Sequence, residues 1–385
     1  MDLAFLTPLL DRPGPWASVY LDTSRATEDA APRRALLDRA AVHRLAGLGV
    51  DDRTCAAVRD RLAAEPAGGS PPGRALFAAD GEVVVDTALA TSPPDVAVDW
   101  APLPHTAPLL DLLDDALPRC LVVAVDRTGA ELERREFGGA ARLGTVEGKQ
   151  WQGRGHRAPP ADRYEWHYRH RVEDAWDRTA AIIADHLGRV WPGSGADLLV
   201  LTGDVRERRA VHELLPPQLR PHTVEVDGGG RADGIAREVF DQRIATAWNG
   251  HRAHHLDTVL DAFRTGIGRP GEHGTDAAGT ETAPGAAAQG VPAVVAAARQ
   301  NQLAALLLQP GGHDPERPVW TGPRPEHIGV QRNDLRAMGV AEPHQAPAAD
   351  ALLRCATAVG AEALLVPEAV PGPPGGLGAV LRWVA

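Results

Sequence analysis

Residues 148–171, GKQWQGRGHRAPPADRYEWHYRHR, concentrate the side chains that bind polyanions. Lys149, Arg154, Arg157, Arg163, Arg169 and Arg171 supply six positive charges against Asp162 and Glu165, a local sum of 6 − 2 = +4. Trp151, Tyr164, Trp166 and Tyr168 lie among them, and two of the chain's three tyrosines fall here. Bases contact phosphates and flat rings stack on unpaired nucleobases, so the pattern points to RNA. Gly148, Gly153, Gly155 and the Pro159–Pro160 pair keep the first half irregular, which reads as a loop over roughly 145–162. Arg154 and Arg157 are the RNA contacts favoured within it, because a loop offers them no core to join. The same residues also read as a solvated loop running into an amphipathic helix, with Trp166 and Trp176 in its core.

Other constellations carry less chemistry. His251, His254 and His255 stand in HRAHH, and an i, i+4 pair can share a metal. No HExxH glutamate or third ligand accompanies them, so a solvated helix face is expected and no metal site. GGGRADG at 228–234 reads as a turn rather than a phosphate loop, and Asp126-Arg127-Thr128-Gly129 as a hairpin turn. No GxSxG is present, and Cys120 sits on an apolar run where thiols are inert. Cys55, Cys120 and Cys355 are far apart, which excludes a disulfide scaffold and a cysteine zinc site. No cofactor is implied.

The 385 residues exceed one average domain, and the apolar fraction of 44% is that of a globular protein. Net charge is −11, which excludes a generally basic nucleic-acid coater but not a local basic patch. Lys149 is the only lysine among 40 bases. No apolar run reaches the ~18 residues of a membrane span, and the acidic MDLAFLTPLLDRPG start does not read as a signal peptide. A cytoplasmic protein without a membrane partner is expected.

Periodicity predicts an α/β chain in segments. Residues 1–115 hold a strand at WASVYLD (16–22), helices over 33–48 and 55–64, and a hairpin turning at Asp80–Gly81. This segment has 18 acids and 10 arginines, a net of −8. Residues 118–268 hold strands at CLVVAVD (120–126), GAELERREF, ADLLVLTGD (196–204) and HTVEV (222–226). Helices fall over 163–187, at VRERRAVHELLP and from IAREVF onward. Strand and helix in alternation imply a partly parallel sheet. Residues 269–290 read as a flexible linker. Residues 291–385 read as a small α/β/α sandwich.

This order of segments, with LVVAVDRTGAELERREF and the loop leading into RYEWHYRHRVEDAWDRTAAIIADHL, resembles a known family. It is similar to the actinobacterial relatives of the archaeal and eukaryotic class-1 release factor and Pelota, a group that includes Balon-type ribosome hibernation factors. The resemblance is most specific at Tyr164, Arg171, Glu173, Asp174 and Trp176. It implies a three-domain, release-factor-like architecture of mixed sheets and a tRNA-mimicking, ribosome-binding translation factor. The implied partners are ribosomal RNA, ribosomal proteins and an elongation factor, with a monomer off the ribosome. In the release factors the equivalent loop carries Gly-Gly-Gln, which promotes hydrolysis of peptidyl-tRNA. Here Gly148-Lys149-Gln150 stands instead, and Lys149 denies the backbone the freedom of a second glycine.

The expectation is therefore ribosome occupancy in dormancy or stress without hydrolysis. Lys149, Trp151, Arg154, His156, Arg157, Arg163, Tyr164, Arg169 and Arg171 would be the RNA-binding residues. The alternative is a peptidyl-tRNA hydrolase or rescue factor in which Gln150 or Gln152 positions water. A scaffold that binds only proteins is a third reading. The acidic N-terminal segment would meet RNA through Arg25, Arg33, Arg34, Arg39 and Arg44, or would turn its acids to basic ribosomal proteins.

Overall fold

The computed structural model describes every residue except 2, 25–29, 65–70, 114–118, 137–138, 149–160, 229–236, 269–273, 276–280, 283–286 and 383–385. The side chains of 30–31, 136, 139, 161–176, 237–238, 274–275 and 281–282 also lie outside the description. The fold is mixed α/β, in two compact units: Met1–Ala116 with His255–Ala385, and Leu117–His254.

The first unit begins with β1 (Trp16–Asp22), α1 (Ala30–Gly47), α2 (Asp52–Ala63), β2 (Gly73–Ala79), β3 (Glu82–Leu89), β4 (Ala97–Ala101) and the short α3 (Pro108–Leu112). The strands form an antiparallel sheet of order β3-β2-β1-β4. WASVYLD is buried nearly throughout because it is an inner strand covered on both faces. Asp51 starts α2 by accepting from Thr54 N at 2.9 Å, which satisfies a backbone donor the helix leaves open. The β2–β3 turn has Asp80 at φ 52° and Gly81 at φ 77°, the paired left-handed conformations of a tight hairpin. Arg74, buried in β2, forks onto Asp86 with two 2.7 Å bonds and spends further donors on Ala64 O and Arg61 O.

The second unit contains β5 (Cys120–Asp126), β6 (Gly129–Glu136), β7 (Gly139–Glu147), α4 (Ala161–Ser194), β8 (Leu198–Gly203), α5 (Val205–Leu214), β9 (Thr223–Val226) and the first part of α6 (Arg237–Gly268). Its sheet has the order β7-β6-β5-β8-β9, with β5, β8 and β9 parallel and β6 and β7 antiparallel. Leu121, Val123, Leu199 and Leu201 pack on one face against Ile183 and Leu187 of α4 and Val211 of α5. Val122, Leu198 and Val200 pack on the other against Phe240 and Ile244 of α6. The strand run of sequence analysis is apolar without alternation for this reason: both faces are covered.

The first unit resumes with the later part of α6, then β10 (Gly274–Thr275), β11 (Glu281–Thr282), β12 (Ala287–Gln289), α7 (Gly290–Arg299), β13 (Leu303–Leu308), β14 (Pro318–Thr321), β15 (Ile328–Gly329), α8 (Arg332–Ala337), β16 (His344–Pro347), α9 (Ala348–Val359), β17 (Glu362–Leu365) and β18 (Leu377–Leu381). A sheet of order β12-β18-β13-β17 carries α7 and α9 in one core cluster, while Leu260 and Phe263 of α6 cluster with Leu307 and Val366. Residues 287–290 of the expected linker thus form strand β12 and the first residue of α7.

One apolar core joins the ends of the first unit, with Trp16, Tyr20 and Phe77 in the same cluster as Leu352 and Leu353. Asp350 of α9 crosses that core, only 3% exposed. Its Oδ1 accepts from the Thr106 and Ala107 backbone N–H groups at 2.7 and 2.8 Å, and its Oδ2 from His105 Nδ1 at 2.8 Å. The His105 backbone is held in turn by Ser18 Oγ and by the Tyr20 hydroxyl. Burial works against a charge on His105, but the hydrogen bond to Asp350 and its negative charge outweigh it and hold the imidazole above its ordinary 6.5.

Asp350→Ala leaves these buried donors unmet and is expected to cost about 3 kcal/mol in urea unfolding. The His105 contribution is fully present below pH 6.5 and is lost as pH rises through the raised folded value. Wild type should therefore lose more stability than His105→Gln between mildly acidic and mildly alkaline buffer. Equal losses would show that the imidazole charge stabilises nothing.

Candidate nucleic-acid interface

The basic-aromatic stretch leaves the second unit at one edge of its sheet. Parallel strands β5 and β8 run in register from Cys120 opposite Leu198 to Val125 opposite Gly203, so both end at the same edge. At the end of β5, Asp126 Oδ1 accepts from Thr128 N, Thr128 Oγ1 and Gly129 N at 2.7, 2.6 and 3.0 Å. That carboxylate closes the β5–β6 turn, as expected of Asp126-Arg127-Thr128-Gly129. Gly129 has φ 154°, and a Cβ there would lie 1.9 Å from Val146 O. Strand β7 returns beside the turn, and Gly148 N donates to Thr128 O at 2.8 Å.

Gly148 is the last described residue before 149–160. A Cβ on it would meet Thr179 of α4 at 2.5 Å from Oγ1 and 2.7 Å from Cγ2. The chain thus leaves the sheet through a gap that only glycine fits, between a turn and a buried helix side chain. It is described again from Ala161, where α4 begins.

The same edge carries the start of α5. Gly203, at φ 120°, lies so close to β5 that a Cβ would stand 2.1 Å from Val125 O. Asp204 then caps α5, accepting from Arg206 N at 2.9 Å. Backbone N–H of Arg206, then a side-chain hydrogen bond to Glu207, hold the Asp204 carboxyl below its ordinary range. Glu207 is 8% exposed. Burial, then the Asp204 side chain, push its carboxyl above the ordinary 4.5. Arg127, on the β5–β6 turn, approaches Glu207 Oε1 at 3.4 Å and leaves 68% of its own side chain in solvent. The described charged groups at this edge are Asp126, Asp177, Asp204 and Glu207 with Arg127 and Arg206, so the positive charge of the region lies in the segment 149–171 rather than in the sheet edge that it leaves.

Of the residues selected from sequence, Lys149, Gln150, Trp151, Gln152, Arg154, His156 and Arg157 lie outside the described residues. Arg163, Tyr164, Arg169 and Arg171 fall on α4, with side chains outside the description. The expected loop start at 145 moves to 148, because 139–147 is an edge strand. Arg33, Arg34, Arg39 and Arg44 share α1. Arg33 pairs with Asp22, while Arg34, Arg39 and Arg44 donate to the Leu62, Ala35 and Val96 carbonyls; Arg25 lies outside the described residues. His255 binds Glu362 Oε2 at 2.8 Å and His251 stacks on Trp248. Among the described residues no three His, Cys, Asp or Glu side chains could hold a metal. All three cysteines are buried thiols, and burial pushes Cys120 and Cys355 up to about 12. Sequence reasoning missed Glu207; its one signal was the Thr-Gly-Asp end of β8 leading into a charged helix.

Residues 119–269 match the family model described as Bacterial archaeo-eukaryotic release factor family 2. Over that span, which contains the sheet edge and the loop, the chain is release-factor-like. It is 29% identical over 380 residues to the uncharacterized proteins Rv2629 and MT2704 of Mycobacterium tuberculosis strains H37Rv and CDC 1551, covering 97% of this chain and 94% of each relative. Among solved structures it aligns with an archaeal translation termination factor, aRF1, at 16% identity and TM-score 0.24, over 100% of this chain and 99% of that one. It also aligns with Saccharomyces cerevisiae Dom34 at 9% identity and TM-score 0.37, over 80% and 76%. No helix among the described residues is long and apolar enough to cross a membrane.

Gly148→Val should destabilise the second unit by about 1–3 kcal/mol, because the added methyl groups meet Thr179. Thr179→Ala in the same chain should return at least half of that loss in a double-mutant cycle. Strict additivity would mean that the loop root is not wedged against α4.

Proposed function

We infer that this release-factor-like chain is a ribosome-binding translation factor that occupies the ribosome in dormancy or stress without hydrolysing peptidyl-tRNA. The observation that carries the reading is the exit of the +4 segment 148–171 from a fixed glycine at the sheet edge, inside a chain of net charge −11. A fixed root lowers the ordering cost of a loop on binding, and bases so placed supply the salt-dependent attraction of an RNA backbone. Lys149, Arg154, Arg157, Arg163, Arg169 and Arg171 contact phosphates in this reading. Trp151 and Tyr164 stack, and His156 adds a ring at the loop.

Residues 118–268 act as the middle domain that reaches ribosomal RNA, residues 269–290 connect, and 1–115 and 291–385 meet other ribosomal surfaces or an elongation factor. The exposed arginines of α1 give the acidic N-terminal segment one basic helix for that purpose. Such a factor works in the cytoplasm, as a monomer between ribosomes. The hydrolase reading assigns Gln150 or Gln152 to hold water. The Gly148-Lys149-Gln150 sequence argues against it, since close backbone approach to an ester favours glycine where Lys149 stands.

Purified protein should co-sediment with vacant ribosomes at low salt and release steeply as salt rises. Arg154→Glu with Arg157→Glu should weaken association at moderate salt by at least about tenfold, with a shallower salt slope. Unchanged binding would remove the loop from the reading. Stalled ribosome–nascent chain complexes should keep their peptidyl-tRNA ester when the protein is added. Ester loss that Gln150→Ala and Gln152→Ala abolish would establish the hydrolase instead.

A further inference from the structure

A cavity of about 640 Å³ lies inside the first unit, between the residues before β1, the segment after β4, and the C-terminal elements β14, β16 and α9. That volume falls within the ~300–1,000 Å³ of small-molecule sites. Its walls belong to the core, since Leu6, Leu9, Trp16, Leu103 and Leu353 line it and are all buried. Helix α9 turns one face to it through Asp350, Leu353, Arg354 and Thr357, the i, i+3, i+4, i+7 spacing of a helix stripe. An Asp and an Arg four residues apart on a helix can pair. Here they do not, because both Asp350 oxygens are already taken by residues 105–107.

Arg354 is left with a charge and no counter-charge. Its Nη1 donates to Gly322 O at 2.8 Å and its Nη2 to Pro323 O, both neutral carbonyls. Among the described residues no carboxylate pairs with it; Glu326, the acid that acts on it, stands 3.8 Å from Arg324. Burial pulls the Arg354 guanidinium below its ordinary value. The other charges of the lining have partners or face water. Arg12 pairs at 2.6 Å with Glu82, which does not line the cavity. Asp350 has its three donors. Glu342 and His344 are exposed, and His327 Nδ1 accepts from Arg324 N at 3.4 Å. The interior therefore leaves one positive charge unmatched beside an apolar wall.

We propose that this cavity binds a small apolar carboxylic acid, its carboxylate on Arg354 and its hydrocarbon body against Leu6, Leu9, Leu103 and Leu353. A guanidinium carries five N–H donors, so donors remain for a carboxylate beside the two carbonyls. One positive charge matches the single charge of a carboxylate. A phosphate monoester, with about two negative charges, would leave one of them unmet against leucine. An organic cation would repeat the charge already there. Acyl chains and aromatic acids share this chemistry. The site lies in the unit that does not carry the basic segment, so it stands apart from the RNA-binding reading.

The test uses the full chain without ribosomes. Octanoate and cinnamate are titrated calorimetrically, with octanol, octylammonium and cinnamyl alcohol beside them. At least one acid should bind at one per chain, at least about tenfold tighter than its own alcohol, with octylammonium weaker still. Preference for octanoate identifies an acyl chain and preference for cinnamate an aromatic acid; both support the site. Arg354→Gln, which keeps an N–H donor for the Gly322 carbonyl, should weaken the better acid at least about tenfold and remove its advantage over the alcohol. Ala341→Trp, at an exposed position of the lining, should weaken acid and alcohol alike without changing a charge, so the result does not rest on one variant's folding. No saturable binding of either acid, equal affinity for acid and alcohol, or an acid affinity that survives either variant overturns the proposal. Lys149 and the loop arginines play no part in it, so ribosome co-sedimentation succeeds or fails independently.

Discussion

Parallel pairing of β5 with β8 is the constraint on which the second unit depends. Two parallel strands cannot be joined by a tight turn, so a long crossover must run between them. Here that crossover contains β6, β7, the basic segment and α4. A parallel core also needs both faces covered, which α4 and α5 do on one side and α6 on the other. The carboxyl ends of the strands are then the natural outlet of the layer. The turn after β5, the glycine after β7 and the cap of α5 all meet there, and each is fixed by a short contact rather than by loop packing. The site inherits its rigidity from the sheet, and the loop does not have to supply its own.

The first unit is organised by a different demand. Asp350 sits in a core of leucines and alanines, and a buried carboxylate is tolerated only where donors surround it. The donors come from residues 105–107, so α9 and the segment after β4 are tied together by groups that would each be costly alone. Arg74 and Asp86 solve the same problem within the N-terminal sheet, with a bidentate pair in place of backbone amides. The polar interior of this unit therefore specifies which segments pack together, while its apolar area supplies the driving force.

Much of this was legible in the sequence, where period and apolar content agree with the environment. WASVYLD, CLVVAVD and ADLLVLTGD are inner strands, and the helices after the first and the third fall where their apolar spacing puts them. The hairpin at Asp80–Gly81 was legible because its turn chemistry is local. Strand β7 was not, since GAARLGTVE is an edge strand with exposed positions and two glycines and carries no alternation. The small sheet of β14, β15 and β16 escaped for the same reason, being built from strands of two to four residues. Asp350 and His105 are 245 positions apart, and no window of sequence contains both. Glu207 reads as one more charge on a helix of charges; only the tertiary placement of α5 against β5 and α4 buries it.

Electrostatics and backbone freedom both bear on the role proposed for the loop. A chain with 39 arginines keeps its single lysine directly after the pinned Gly148. Lysine is a compact point charge on a flexible stem, suited to a phosphate approached from varying angles, whereas arginine fixes a planar geometry. A residue with a long side chain at that position also keeps the backbone away from any reacting carbonyl, which glycine would not. Charge gained and close approach lost are both properties of an anchor. Hydrolysis requires the opposite exchange, a bare backbone brought to the ester. The root geometry is compatible with either, and in the function proposed above the choice between them rests on the residue type that follows it, Lys149 in place of a second glycine.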